Sequence, residues 1–171
     1  MKSKKIVLSG LFVAFGVILP MIFHQFSMGG PAFLPMHIPV LITGLFLGPL
    51  EGLLVGIITP ILSSILTGMP VMFPMLPIMM FELGAYGLIS GYLSKRLNIN
   101  LFISIILSMI GGRIIACLVV LILGSFFGFK GADPITFVKG AIITGLPGIA
   151  IQLIFIPLVV KLLKRSNKII A

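Results

Sequence analysis

Unbroken apolar blocks of membrane-spanning length constrain the fold of this chain more than any other feature of its sequence. Such blocks do not suit the surface of a soluble domain, and only 9% of the 171 residues are charged. The blocks are continuous and rich in Leu, Ile, Met and Gly, whereas a membrane barrel needs short alternating strands. The sequence therefore predicts an all-α integral membrane protein.

Six apolar blocks predict six transmembrane helices, packed as a single domain over residues 1–171. Their approximate bounds are Lys5–Phe23, Ile38–Gly48, Glu51–Leu66, Pro74–Leu93, Leu101–Phe126 and Pro134–Leu163. The second block is short. The first has the basic start of a signal peptide, but further spans follow it at once and no small-residue cleavage site is evident. We therefore expect the first block to be retained as a helix.

Basic residues cluster at the ends of the predicted spans and indicate their orientation. The clusters precede the first span, follow the fourth and end the sixth: Lys2, Lys4 and Lys5; Lys95 and Arg96; Lys161, Lys164, Arg165 and Lys168. With six spans these clusters all lie on one side, which we predict to be cytoplasmic, together with both termini. Anionic lipid headgroups are the expected partners of this charge, and nucleic acid is not.

The outer face is then predicted to carry three connections, at His24–His37, Met69–Phe73 and Phe127–Asp133. The first contains the apolar, Gly- and Pro-rich segment Phe26–Met36. Because a solvated loop is usually more polar, we expect this segment to fold back as a lid over an outward-facing cavity, with a re-entrant seal as the alternative. His37 is a candidate ligand contact. We expect no metal site, since no cysteine or carboxylate cluster accompanies the two histidines.

Glu82 and Arg113 stand inside the predicted spans, where charge is costly and normally faces a bundle interior or a cavity. At about 1.5 Å per residue, Glu82 lies roughly 12 Å below the outer end of the fourth span. Arg113 lies roughly 18–20 Å below the outer surface on the fifth span, or less if that helix is tilted or begins later. We expect the two to face each other in the outer half of the membrane. They are interpreted either as a structural ion pair or as part of a ligand site, and these roles are compatible.

Four further residues are candidates for the same site, each with an ordinary structural alternative. Tyr86 lies one turn below Glu82, and its structural alternative is a role in interior packing. Lys139 lies near the outer mouth of the predicted site, and its structural alternative is to extend toward the outer lipid headgroups. Thr144 reaches a depth comparable to Glu82, and its alternative is a hydrogen bond to the preceding helical turn. Gln152 lies deeper and is a candidate contact if Pro147 kinks the span.

Glycines recur at about one-turn spacing and predict close helix packing. They include Gly44 and Gly48, Gly52 and Gly56, and Gly84, Gly87 and Gly91, while Gly10 and Ala14 form a small-xxx-small step on the first span. The chain contains no Ser/His/Asp arrangement in a recognisable context, no H-E-x-x-H and no phosphate-binding glycine loop. We therefore expect neither an enzyme nor a cofactor site.

The chain resembles the substrate-binding S components of energy-coupling factor (ECF) transporters over essentially its whole length. The resemblance is carried by the first-helix step Gly10-Leu-Phe-Val-Ala14 and by three segments similar to bacterial vitamin-uptake members of the family: Met36–Pro49, Pro60–Pro70 and Phe81–Gly87. In the family the first-helix motif is typically Ala-x-x-x-Ala and contacts the membrane coupling subunit. Here Gly10 replaces the first alanine, which keeps a surface suited to close approach.

The resemblance implies a function and a set of partners. S components bind a vitamin or its precursor from outside in a cavity closed by the first outer loop and the outer halves of the fourth to sixth helices. They associate with a transmembrane coupling subunit and two cytoplasmic ATPases in the bacterial plasma membrane, and topple to release the ligand inside. The chain alone is then expected to bind ligand without hydrolysing anything.

The charges near the candidate site suggest an anionic ligand, because Arg113 and Lys139 outnumber Glu82. Pantothenate or nicotinate fits this charge, and a neutral compound such as α-ribazole is the alternative. Two other classes of function are kept open. A stand-alone secondary transporter or small channel also explains charges within the membrane, and a structural membrane subunit predicts no ligand at all.

Overall fold

The described residues of the computed structural model, 2–25, 30–127 and 133–170, form seven α-helices and no strand. The helices are α1 (Lys2–Gln25), α2 (Gly30–Phe33), α3 (His37–Phe46), α4 (Pro49–Thr67), α5 (Met75–Lys95), α6 (Leu101–Phe127) and α7 (Pro134–Ile170). The predicted all-α fold is confirmed. Parts of the first and third predicted outer connections, residues 26–29 and 128–132, lie outside the described residues.

Five helices among the described residues, α1 and α4 to α7, are long and apolar enough to cross a membrane. They coincide with five of the six predicted spans. The second predicted span is the ten-residue helix α3, which rises only about 15 Å and is shorter than the roughly 30 Å hydrocarbon core. Eight of its ten residues are buried. A short helix at membrane depth is tolerated here because protein, rather than lipid, surrounds its ends.

Helix α3 lies among the longer helices. It packs against α1, α4, α5 and α7, while α5 contacts α3, α4 and α6. The main apolar core forms around α3, with Val40, Leu41 and Leu45 fully buried against residues of α4, α5, α6 and α7. The side chain of His37, the first residue of α3, is therefore held within the bundle.

Close packing between α4 and α5 depends on glycine, as the sequence predicted. A Cβ atom added to Gly87 of α5 would overlap the carbonyl of Gly52 in α4, and one added to Gly56 would overlap the carbonyl of Leu83. One added to Gly44 of α3 would also overlap the carbonyl of Gly87. Because each of these contacts is with backbone, a side chain cannot be accommodated by a change of rotamer.

Basic residues from three helices meet at one end of the bundle. Lys5 of α1 forms an ion pair with Glu51 of α4, with an Nζ to Oε1 distance of 2.6 Å. Lys95 of α5 lies within electrostatic range of both, and Lys164 of α7 lies within range of Lys95. The prediction that the clusters share one side is confirmed. The assignment of that side as cytoplasmic stays a prediction.

Replacing Gly87 with alanine is expected to destabilise the bundle by about 1–3 kcal/mol, because the added methyl forces α4 and α5 apart. Thermal unfolding in detergent measures the effect. The control is Gly10→Ala, since nothing lies within 4 Å of a Cβ at Gly10 and alanine is the better helix former. Equal unfolding midpoints for the two variants would contradict the assigned packing.

Candidate ligand-binding site

An outer cavity of about 930 Å³ opens among the helix ends that lie away from the Lys5–Glu51 pair. Its walls come from the end of α1, the segment before α3, the α4–α5 connection, the first half of α5, and parts of α6 and α7. The lining residues are Pro20, Met21, Leu34, Pro35, Met36, His37, Ser63, Thr67, Met69, Pro70, Val71, Met75, Ile78, Met79, Glu82, Arg113, Thr136, Phe137, Gly140, Ala141 and Thr144. The size suits a small organic ligand.

A buried polar cluster lies at one wall of the outer cavity and is centred on Glu82, whose exposed fraction is 4%. Arg113 Nη1 of α6 lies 2.7 Å from Glu82 Oε1 in an ion pair. The hydroxyl of Tyr86 donates a hydrogen bond of 3.0 Å to the same oxygen, and His37 Nε2 lies 4.0 Å from it. The prediction that Glu82 and Arg113 face each other is confirmed.

Local sequence explains how the cluster assembles. Glu82 and Tyr86 are four residues apart on α5, so their side chains lie on the same helix face. Gly112 of α6 provides the space for the Tyr86 ring, because a Cβ there would overlap the ring carbons. His37 completes the cluster from α3, with its ring centroid 5.1 Å from that of Tyr86. Three helices therefore supply one network.

Several buried polar atoms at the site have no hydrogen-bond partner among the described residues: His37 Nδ1 and Nε2, Arg113 Nη2 and Gln152 Oε1. Buried polar groups are normally satisfied by protein or by bound molecules, because leaving one unpaired costs free energy. Arg113 thus uses Nη1 to hold Glu82, while its Nη2 is buried without a hydrogen-bond partner among the described residues. The arrangement suits a ligand that carries a hydrogen-bond acceptor.

A second cavity, of about 650 Å³, lies beside the first, between α6 and α7. Leu34, His37 and Arg113 line both cavities and so mark the boundary between them. The rest of its wall is nearly all apolar: Ile106, Met109, Ile110, Ile114, Cys117, Ile135, Val138, Ile142, Ile149 and Leu153, with Tyr86, Lys139 and Gln152 as the polar members.

The seven candidate residues are thus divided between two neighbouring cavities. Glu82 and Thr144 line the outer cavity; Tyr86, Lys139 and Gln152 line the second; His37 and Arg113 line both. Thr144 is exposed at the wall and makes no hydrogen bond with another described residue, so the alternative bond to its preceding turn is absent. Whether these residues contact a ligand stays a prediction.

The segment before α3 packs against α7. A Cβ on Gly148 of α7 would overlap the backbone of Phe33 in α2, and Gln152 Nε2 donates a 3.2 Å hydrogen bond to the Leu34 carbonyl. Leu34 adopts a left-handed backbone conformation, with φ of 49°. The predicted lid segment therefore lies against α7 in its described part. Gln152 binds this segment through its amide nitrogen, and its predicted contact with a ligand stays a prediction.

Residues that sequence reasoning missed are mostly apolar. Leu34 stands at the boundary of both cavities, and Met75 and Met79 of α5 line the outer one. The search for membrane-embedded charge could not find them, because apolar residues are the background in a transmembrane chain. The available signal was the density of methionine around Glu82, in the segment Met75–Glu82.

The small-residue step on α1 lies on an outer face of the bundle. Gly10 and Ala14 are both exposed, and their neighbours Val7 and Leu11 are exposed apolar residues. A smooth apolar strip of this kind permits close approach by another helix. A role in docking a coupling subunit stays a prediction.

Comparison with known proteins identifies the family. Residues 4–160 match the family described as the substrate-specific component of ECF transporters. The chain belongs to this family. No curated protein and no solved structure gives a significant match.

Family membership agrees with the helical bundle and with the cavity at its outer end. The chain is a substrate-binding transporter subunit and a multi-pass protein of the cell membrane. Components of this family take part in transport rather than catalysis, and they work with ECF membrane and ATPase subunits. The substrate remains to be inferred from the site itself.

A double-mutant cycle on Glu82 and Arg113 tests the energetic role of their pair. Arg113→Gln is expected to destabilise the protein by about 3–5 kcal/mol, because it leaves the Glu82 carboxylate buried without its counter-charge. Glu82→Gln is expected to cause a similar loss, because it leaves the Arg113 guanidinium buried without its counter-charge. The double variant buries no charge at these two positions, so its free energy of unfolding is expected to return most of the way to the wild-type value.

Equilibrium unfolding in mixed detergent gives the four stabilities. Additive losses, with a double variant less stable than either single one, would show that the pair is not coupled.

Proposed function

We propose that the chain captures a small vitamin or vitamin precursor from outside the cell and delivers it inward as part of an ECF importer. The observation that carries the proposal is the unpartnered Arg113 Nη2, held by the Glu82 ion pair at the wall of an outward cavity. A group fixed in this way is preorganised, so a ligand does not bear the cost of orienting it.

The ligand is proposed to carry a carboxylate or phosphate. Arginine recognises planar anions through parallel N–H donors, and charge-assisted hydrogen bonds of this kind are stronger than neutral ones. Lys139, on the wall of the neighbouring cavity, adds positive potential without neutralising Glu82. Pantothenate and nicotinate are compounds with the required charge, and neutral α-ribazole is the alternative that the test below includes.

The direction of capture follows from the position of the cavity. It lies at the end of the bundle away from the basic residues, and positive charge favours the cytoplasmic side. The sequence contains no phosphate-binding glycine loop, so ATP hydrolysis is assigned to two separate cytoplasmic ATPases. A transmembrane coupling subunit is proposed to contact the exposed Gly10–Ala14 strip of α1.

Mass spectrometry of small molecules released from the purified protein tests ligand capture. We expect an anionic vitamin or precursor from the wild type and its loss from the Glu82→Gln/Arg113→Gln double variant, which removes the guanidinium without stranding a charge. The matched control is Lys161→Gln, an exposed cation at the other end of the bundle, which should retain the ligand.

Retention of the ligand by the double variant would contradict the role of Arg113. Release of α-ribazole or another neutral compound would contradict the anionic class. Uptake by the chain reconstituted alone, without ATPases, would favour the stand-alone transporter instead.

A bulky residue on the α1 strip is expected to abolish transport while leaving ligand binding intact. In Ala14→Leu the larger side chain keeps the coupling helix at a distance, whereas Gly10→Ala should behave as wild type because alanine is still small. Co-purification with the coupling subunit and ATP-dependent uptake in vesicles measure the effect. Normal uptake by Ala14→Leu would exclude this docking surface.

A further inference from the structure

Methionine is concentrated at the outer cavity. The chain has ten methionines, and five of them line this cavity: Met21, Met36, Met69, Met75 and Met79. They come from α1, from the segment before α3, from the α4–α5 connection and from α5, so no single helical repeat explains their convergence. The thioether of methionine is polarisable and makes favourable contacts with aromatic rings.

The polar end of the cavity is adjacent to this methionine wall. Met75, Met79 and Glu82 are spaced by four and three residues on α5, so their side chains lie along one helix face. Glu82 holds Arg113 at the end of that row. A ligand whose acidic group reaches Arg113 therefore extends its body past the thioethers of α5.

Most hydroxyl groups at the cavity wall are already engaged within the protein. Ser63 Oγ donates to the Met69 carbonyl at 2.7 Å, and Thr67 Oγ1 donates to the Ser63 carbonyl at 2.7 Å. Thr136 Oγ1 donates to Asp133 Oδ2 at 3.4 Å. These three groups stabilise the α4–α5 connection and the start of α7, so their protons are not available to a ligand.

The side-chain donors that remain are grouped together. Among the described lining residues they are Arg113 Nη2, one ring N–H of His37, and the Thr144 hydroxyl. Most of the other lining residues offer Met, Pro, Ile, Leu, Val and Phe side chains. The cavity therefore has one polar end and an apolar body, which is poorly suited to a ligand with hydroxyls along its length.

We propose that the substrate is an aromatic acid: a flat, largely apolar ring body contacted by the methionine thioethers, with its acidic group at Arg113. This rests on the proposed function and narrows its ligand class. Of the anionic compounds considered above, this class favours nicotinate over pantothenate, and it disfavours a riboside, because the polar groups of an extended amide or polyhydroxylated compound would face apolar walls. The cavity of about 930 Å³ accommodates a fused ring system as well as a single ring.

The first test compares two probes with the same fused-ring carbon skeleton and the same carboxylate, of which one is flat and aromatic and the other is saturated. Isothermal titration of the detergent-solubilised protein, freed of any bound ligand, is carried out with 2-naphthoate and decahydronaphthalene-2-carboxylate. We expect 2-naphthoate to bind at least tenfold more tightly, because several thioether contacts depend on the ring electrons. Equal affinities, tighter binding of the saturated acid, or no binding of either would overturn the proposal.

A pair of adjacent methionines provides the matched variants. Met79 lines the cavity, whereas Met80 lies outside its lining, and leucine conserves the volume of either side chain. Met79→Leu is expected to weaken the binding of 2-naphthoate about two- to tenfold and to leave the affinity for the saturated acid unchanged. Met80→Leu should alter the affinity for neither acid. An equal loss for both acids in Met79→Leu would indicate altered shape and contradict a thioether contribution.

The identity of the released molecule separates this inference from the proposed function. An aromatic acid supports both. A polyhydroxylated vitamin would support ligand capture by the chain but overturn the aromatic class. Absence of any released molecule, together with no binding of 2-naphthoate or of a vitamin panel, would overturn both.

Discussion

The cost of burying a carboxylate within a membrane is the constraint on which the site depends. Glu82 is stable at its position because Arg113, Tyr86 and His37 surround it, and these residues come from three different helices. The same network that satisfies Glu82 fixes the arginine with one nitrogen unpartnered among the described residues. The structural ion pair and the proposed ligand site are therefore compatible, because the same contact that satisfies Glu82 also holds Arg113 at the cavity wall.

Helix α5 both packs against α4 and forms part of the cavity wall. One part of its surface carries Gly87, whose contact with Gly52 brings α4 into backbone contact. Another carries Met75, Met79 and Glu82, which face the outer cavity. Close packing on one side holds the helix rigidly, and a rigid helix keeps the cavity wall in place without a ligand. The buried α3 supports the same wall from the centre of the bundle, where it positions His37.

The segment before α3 lies at the boundary between the two cavities. Leu34 borders both, and its carbonyl is held by Gln152 while Gly148 lies against the backbone of Phe33. Gly148 of α7 thus allows the backbone of the short helix α2 to lie directly against a long helix, where exposed backbone would be unfavourable within a membrane.

Apolar length, small-residue spacing and buried charge are local signals. From them the amino-acid sequence predicts the membrane class, the positions of five long helices, the glycine-mediated packing and the facing of Glu82 and Arg113. The cavity that each candidate residue lines depends instead on the packing of the helices. Lys139 and Gln152 lie with Tyr86 beside α6, while Thr144 shares the outer cavity with Glu82. The same packing makes methionines from distant segments converge. Convergence depends on how α3, α5 and α7 are placed around one another, and in an apolar chain no local pattern encodes which neutral faces meet.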